Sequence, residues 1–379
     1  MVNSFSAAQR AAVGLFACLA FLATTLLAQP ARAGDPMELE WHELAPGVFA
    51  GVRPVSYRAP VVGTTVIVIG KKGVFVFDPA GYALQGERLV QKVKSLTDLP
   101  ITEMAISHWH GDHHLGAYKV LEAFPKAELI SSEFTARAIA SPIMGDIDGP
   151  DEGQRQTQLG AVRKMLETGK RADGTELSEG MRAYYADLIK YSDFFTADQR
   201  RAKITVPTRT IKDSLTLDLG GRKVELEHLG YANTKGDIIM YLPKEKILAT
   251  GDVVVTPTPY GIGSYPKSWA EVLRKLKAYD AKYIIPGHGE IMTDTSYLDL
   301  LAETLDLVVA QVDPLAKQGK TLEEVRAAVD FSSVEPRFTH GDEMLALLFK
   351  VWFKLPIVEA EYNLATGKDN EILDQPSPG

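Results

Sequence analysis

Cysteine is almost missing from this chain: of 379 residues only Cys18 is one, so no disulfide framework can staple the fold. Internal repeats and low-complexity segments are also missing, which excludes solenoids, arrays and fibrous designs. No block of Lys or Arg occurs, and acids outnumber bases 49 to 41, which argues against nucleic acid or anionic lipid as a partner. An apolar run long enough to span a membrane needs about twenty residues. The uncharged stretch from Ala11 to Ala28 is shorter than that.

What stands at the amino terminus instead has the three parts of an export signal. Arg10 is the basic start, Ala11 to Ala28 the apolar centre, and Ala31-Arg32-Ala33 the small-x-small cleavage pattern. Residues 1–33 are therefore expected to be a signal peptide cut after Ala33, with the mature protein periplasmic or secreted and not held at the membrane. Cys18 would leave with it, and the Phe16-Ala17 before it fits a lipoprotein signal poorly. The removed piece carries Arg10 and Arg32, so the basic count falls from 41 to 39 against 49 acids, a net charge of −10. With 45% apolar residues the remainder can bury a core as one large domain or two small ones.

From Trp41 to Pro79 the pattern is hairpins: GVFAGV, TTVIVIG, a Lys71-Lys72-Gly73 turn, then VFVFD. A helix over Gln85 to Ser95, the strand ITEMAIS, a helix over Leu115 to Phe124 and the strand AELISS follow. Residues 141–206 break this rhythm with glycines between charged helical pieces and read as a helical insertion. Strands return as TRTIKD, SLTLDLGG, KVELEHLG, DIIMYLP and KILATGD, then a helix over Ser268 to Ala278 and the strand KYIIPGHG. Two halves of strands followed by helices imply an α/β (α+β) protein in which two sheets are covered by helices. The expected domain covers 34–295, and 296–379 is expected to be a helical extension packed on it.

The most chemically loaded stretch is SHWHGDHHLG, Ser107 to Gly116, with four histidines and one aspartate inside seven positions. His108 and His110 alternate, so extended backbone points both imidazoles the same way, where they can share one ion. Asp112 and His113 diverge from them and can serve a second, adjacent position. Imidazole nitrogen with carboxylate oxygen suits Zn²⁺, with Fe or Mn as alternatives. A solvated polar loop rich in histidine is the competing reading.

HWHGDH matches the HxHxDH motif of the metallo-β-lactamase-fold hydrolases, and the hairpin-rich start with Asp78 after VFVF is similar to the same family. Two later stretches, Gly251-Asp252 and the His288 of PGHG, also resemble its motifs, in the same order. The resemblance runs from about Trp41 to Asp294 apart from the insertion. It implies a four-layer αββα sandwich of two mixed β-sheets with a dinuclear site, for two Zn²⁺ ions, at one edge. It also implies that Asp252 bridges the ions, that Asp112 binds the second and orients the attacking water, and that His113 and His288 complete that position. His114 lies outside the motif and is expected to be a supporting residue.

One position departs from the pattern. The family usually has G-x-x-H-T-x-G-D, and this chain has Gly230-Tyr231-Ala232-Asn233-Thr234-Lys235-Gly236-Asp237, with Asn233 where the histidine belongs. An amide oxygen is neutral and harder than imidazole, so it should hold Zn²⁺ less firmly. Three outcomes are open: Asn233 ligates through its oxygen, His228 swings in, or the first position is metal-poor.

Two ions sharing a water would lower its pKa toward neutrality, and the hydroxide so formed would be the nucleophile. The fold hosts β-lactam, lactone, thioester, sulfate-ester and phosphodiester hydrolysis, so the substrate is not fixed by the resemblance. The aromatic and apolar loops at Thr256 to Tyr265 and Pro54 to Gly63 suit a small-molecule ester, lactone or amide such as a β-lactam. The alternatives are a metal- or substrate-binding accessory protein with little turnover, and a sulfate-ester or thioester hydrolase.

Overall fold

The computed structural model describes residues 37–53, 55, 61–145, 147 and 151–374. The signal-peptide reading falls on residues 1–33, outside the described part. Seven strands form the first sheet in chain order: β1 (Glu40–Ala45), β2 (Val48–Val52), β3 (Thr65–Ile69), β4 (Val74–Phe77), β5 (Ile101–Ala105), β6 (Glu128–Ser132) and β7 (Arg209–Ile211). β1 to β4 pair antiparallel as hairpins, and β4 through β7 pair parallel. The second sheet has the order β12-β11-β10-β9-β8, from β8 (Ser214–Asp218), β9 (Lys223–Glu227), β10 (Ile239–Leu242), β11 (Ile247–Ala249) and β12 (Tyr283–Ile285). Among the described residues its one parallel pair is β11 with β12.

Both mixed sheets are buried on two faces, and the period of two along each strand assigns the layers. In β3 and β4, Val66, Val68, Phe75 and Phe77 meet Val224, Leu226, Met240 and Ile285 of the other sheet. The alternate residues Ile67, Val74 and Val76 face outward onto Leu89 and Val93 of the helix Ala83–Leu96. On the far side Ile239 and Leu248 pack on Trp269 and Leu273 of the helix Pro266–Leu276 and on Leu301 of the helix Ser296–Lys317. The layers are therefore helix, sheet, sheet, helix. Phe75 lies fully buried between the sheets. Phe75→Ala is expected to cost about 3–5 kcal/mol, because removing a buried ring leaves a cavity the sheets cannot collapse into. Chemical denaturation would show it as a lower midpoint at unchanged slope.

TRTIKD reads from sequence as the first strand of the second half, but β7 pairs parallel with β6 at the edge of the first sheet. The helices Glu152–Thr168 and Glu179–Gln199 thus lie within the crossover from β6 to β7. A parallel pair requires a long connection, and nothing in local periodicity says which sheet the returning strand joins. The helix expected from Ser268 starts earlier, with Pro266 in its first turn, a position where the missing N–H costs nothing. After the helix Ser296–Lys317 come Leu322–Ala328, Glu335–Thr339, Glu343–Leu348 and Leu355–Ala365. Among the described residues no helix is long and apolar enough to cross a membrane.

Candidate metal centre

The parallel strands end at one edge, and the loops leaving their carboxyl ends carry the reactive side chains, as is usual in sheets of this kind. Asp78 follows β4, His108 to His113 follow β5, Asp252 follows β11 and His288 follows β12. Two glycines allow these loops to meet. Gly251 has φ 52, and a Cβ there would lie 2.4 Å from the Ser107 side chain. A Cβ on Gly287 would lie 2.1 Å from Asp252 Oδ1.

Two groups of potential ligand atoms result, His108, His110 and Asp252 in one, and Asp112, His113 and His288 in the other. Within each group the atoms lie within 4.8 Å of one another. Asp252 spans both. Its Oδ2 is 3.5 Å from His108 Nε2, and its Oδ1 is 3.2 Å from His113 Nε2 and 3.4 Å from His288 Nε2. Asp112 Oδ2 is 3.0 Å from His288 Nε2 and 3.6 Å from His113 Nε2.

The imidazoles are held by their rear nitrogens. His113 Nδ1 meets Asp78 Oδ2 at 3.0 Å, His288 Nδ1 donates to the Val62 carbonyl at 3.1 Å, and His108 Nδ1 pairs with Ser107 Oγ at 2.9 Å. Each Nε2 is left to face Asp252. His108 Nε2 and Asp252 Oδ1 are buried and have no hydrogen-bond partner, an arrangement whose cost a bound cation removes. The donor set and its orphaned atoms therefore fit a metal ion.

Charge points the same way. Burial opposes ionisation of Asp252, yet His288, His113 and His108 hold its carboxyl well below the usual range. Burial also lowers His113, but Asp112, Asp252 and Asp78 outweigh it and raise the ring well above its ordinary value. His288 is raised against burial by Asp252 and Asp112. The carboxylates draw positive charge into the pocket, as protons on these rings or as a metal cation in their place. His110, desolvated and beside His108, is lowered to about 3 and stays neutral.

Asn233 is 1% exposed, and its Nδ2 donates to the Tyr260 carbonyl at 2.8 Å. A carbonyl only accepts, so this contact assigns the amide orientation and leaves Oδ1 buried without a partner. Asn233, His110 and Tyr260 line one cavity together. His228 is engaged elsewhere, with Nδ1 donating to the Asp237 carbonyl at 2.8 Å. His114 Nε2 donates to the Trp109 carbonyl at 2.9 Å and braces the loop from behind.

Sequence reasoning missed several residues. Asp78 is marked in the sequence by its place after VFVF but without a role, and its contact with His113 joins positions 35 residues apart. Tyr82 and Trp352 help line a pocket of about 300 Å³ that contains His110, Asp112, Asp252 and His288. Glu371 is the most distant: Oε1 accepts from Trp109 Nε1 at 2.5 Å and Oε2 from the Lys235 backbone at 2.7 Å. Of these, only Asp78 carried a signal in the sequence, through its place after VFVF. Val55 and 61–63 are described from the early loop, whereas Pro54 and 56–60 lie outside the described residues.

A family model described as the metallo-beta-lactamase superfamily matches residues 58–288, more than half of the chain. The chain belongs to the metallo-beta-lactamase superfamily. A linear primary-alkylsulfatase of Pseudomonas sp. is 23% identical over 226 residues, which are 58% of this chain and 40% of that protein. A metallo-beta-lactamase type 2 of Bacteroides fragilis is 29% identical over 134 residues, 34% of this chain and 52% of that one. The chain spans about half the length of the curated relatives it matches. Among solved structures, the sec-alkylsulfatase Pisa1 of Pseudomonas sp. superposes with a TM-score of 0.58 at 16% identity, over 88% of this chain and 51% of that one. Membership in the metallo-beta-lactamase superfamily makes this a metallo-hydrolase fold, and proteins of the superfamily typically bind metal ions at such His/Asp groups.

Proposed function

We propose that this protein is an exported hydrolase that uses two metal ions, zinc by the character of the donors, to cleave a small ester, lactone or amide such as a β-lactam. The observation that carries the reading is the pair of His/Asp groups opening on one pocket of about 300 Å³. His108, His110, Asn233 and Asp252 would hold one ion, and Asp112, His113, Asp252 and His288 the other. Bound there, the ions would supply Lewis acidity and a water acidic enough to ionise near neutral pH. Asp112 is the group placed to orient that water, since its carboxylate lies at the pocket wall and is 26% exposed, whereas Asp252 is 5% exposed. Asp252 keeps the two groups at a fixed separation. No serine or cysteine nucleophile is required.

Elemental analysis of the purified protein, with turnover of a chromogenic cephalosporin and an aryl ester, tests the reading. Near two metals per chain and hydrolysis of either substrate support it. Two metals without turnover of these, a lactone or a sulfate ester favour a binding protein of the same fold. The likeness to an alkylsulfatase supports sulfate esters as a second substrate class. Export is tested by the mass of the mature protein, which should lack residues 1–33.

Asn233→His should raise metal occupancy at the first position, because imidazole replaces an amide oxygen as donor. Unchanged stoichiometry would count against Asn233 facing the ion.

A further inference from the structure

The pocket over the His/Asp groups has a neighbour more than twice its size. This second cavity, of about 770 Å³, shares His110 and Tyr260 with the first, so the two meet at a common wall. Tyr260 is fixed at that boundary. Its ring stands edge-on to His110 with centroids 5.6 Å apart, and its carbonyl accepts the Asn233 amide.

Part of the lining is apolar. Ile143 and Met144 come from the crossover, Ile262 from the loop after Tyr260, and Leu355 and Ala360 from the last long helix. Val351 and Ile372 also line the cavity, and at 41% and 46% exposed they are large apolar groups left in contact with solvent. Scattered exposed apolar residues need no explanation, but two of them lining one concave cavity mark a place where apolar matter binds.

Most charged groups in the lining are matched within the protein, although the buried Arg326 Nε has no partner. Arg326 pairs with Glu359, Asp369 pairs with Lys235, and the Glu371 carboxylate accepts from Trp109 and from the Lys235 backbone. The Asn363 amide donates to Asn370 Oδ1 at 3.1 Å. A charged ligand would compete with these pairs, Glu359 standing against an anion at Arg326, whereas an uncharged chain leaves them intact.

We propose that the second cavity receives an uncharged apolar tail, an acyl or alkyl chain, of the substrate whose reactive group sits over the His/Asp pocket, which rests on the hydrolase reading above. A head group seated in the pocket of about 300 Å³ borders the second cavity at His110 and Tyr260. The tail passes His110 and Tyr260 and lies along Ile262 and Leu355.

Two measurements on the metal-loaded full chain test this. Calorimetric titration with N-alkyl acetamides from ethyl to decyl should show affinity rising about fourfold per methylene, the factor equivalent to about 0.8 kcal/mol for each buried CH₂, until the cavity is full. Ile262→Trp, which fills the cavity, and Val351→Asp, which places a charge on an exposed lining position, should each cut the octyl-to-ethyl affinity ratio at least tenfold. Affinity independent of chain length, or the same ratio in both variants, overturns the proposal. With nitrophenyl esters, kcat/KM for octanoate over acetate should fall in the same two variants. Length-dependent acetamide binding without hydrolysis of any ester supports the cavity and overturns the hydrolase reading. Hydrolysis with no length dependence in rate or binding overturns the cavity and leaves the hydrolase reading in place.

Discussion

Asp252→Ala should lower kcat/KM by about 10³-fold or more, the scale on which loss of a preorganised charged catalytic group is felt, and should lower metal content with it. The carboxylate is 5% exposed and lies within 3.5 Å of His108, His113 and His288 together. Removing it separates the two His/Asp groups electrostatically as well as sterically. His113 and His288 then keep only Asp112, with Asp78 behind His113, to favour positive charge near them. Asp252→Asn preserves the shape and separates the loss of charge from the loss of packing. Steady-state kinetics and elemental analysis on both variants, with thermal unfolding to establish that each is folded, make the comparison. Wild-type turnover in Asp252→Ala would remove this residue from its bridging role.

Asp78→Ala is expected to weaken metal binding about 10–100-fold, the usual effect of losing the partner behind a ligating histidine. Asp78 is buried at the end of β4 with φ 54, a left-handed conformation that aspartate adopts more readily than most residues. That turn aims its two oxygens at different targets. Oδ2 takes His113 Nδ1, and Oδ1 accepts from the Ser107 backbone at 2.7 Å, directly before His108. A single carboxylate therefore orients the His113 ring of one group and fixes the backbone beside His108 of the other. Asp78→Asn retains an acceptor of the same shape and should lose less affinity than Asp78→Ala. Competition against a chromophoric chelator measures both, and equal affinity in the two variants and the parent would refute the orienting role.

The αββα layering was legible because alternation in TVIVI and VFVF, and helical spacing around Leu89 and Val93, are local properties of the chain. HWHGDH divides between the two groups, His108 and His110 in one and Asp112 and His113 in the other. The sheet that β7 joins was not legible, since three residues at a sheet edge carry too little pattern to choose a partner. Nor were Asp78 behind His113, Tyr82 and Trp352 at the pocket, or Glu371 beneath Trp109. Those contacts join distant segments, and each segment alone reads as an ordinary strand end, helix or acidic turn.

Glu371 gives the order of assembly a particular shape. Its carboxylate ties the HWH loop to the loop that carries Asn233, across separations of 262 and 136 residues. Closing so long a loop costs more entropy than forming a hairpin or a neighbouring strand pair, so such contacts form late in folding. Both sheets can be complete while these two loops are still untied from each other. The tie between the HWH loop and the loop that carries Asn233 is then a late lock, made after the sheets that flank it.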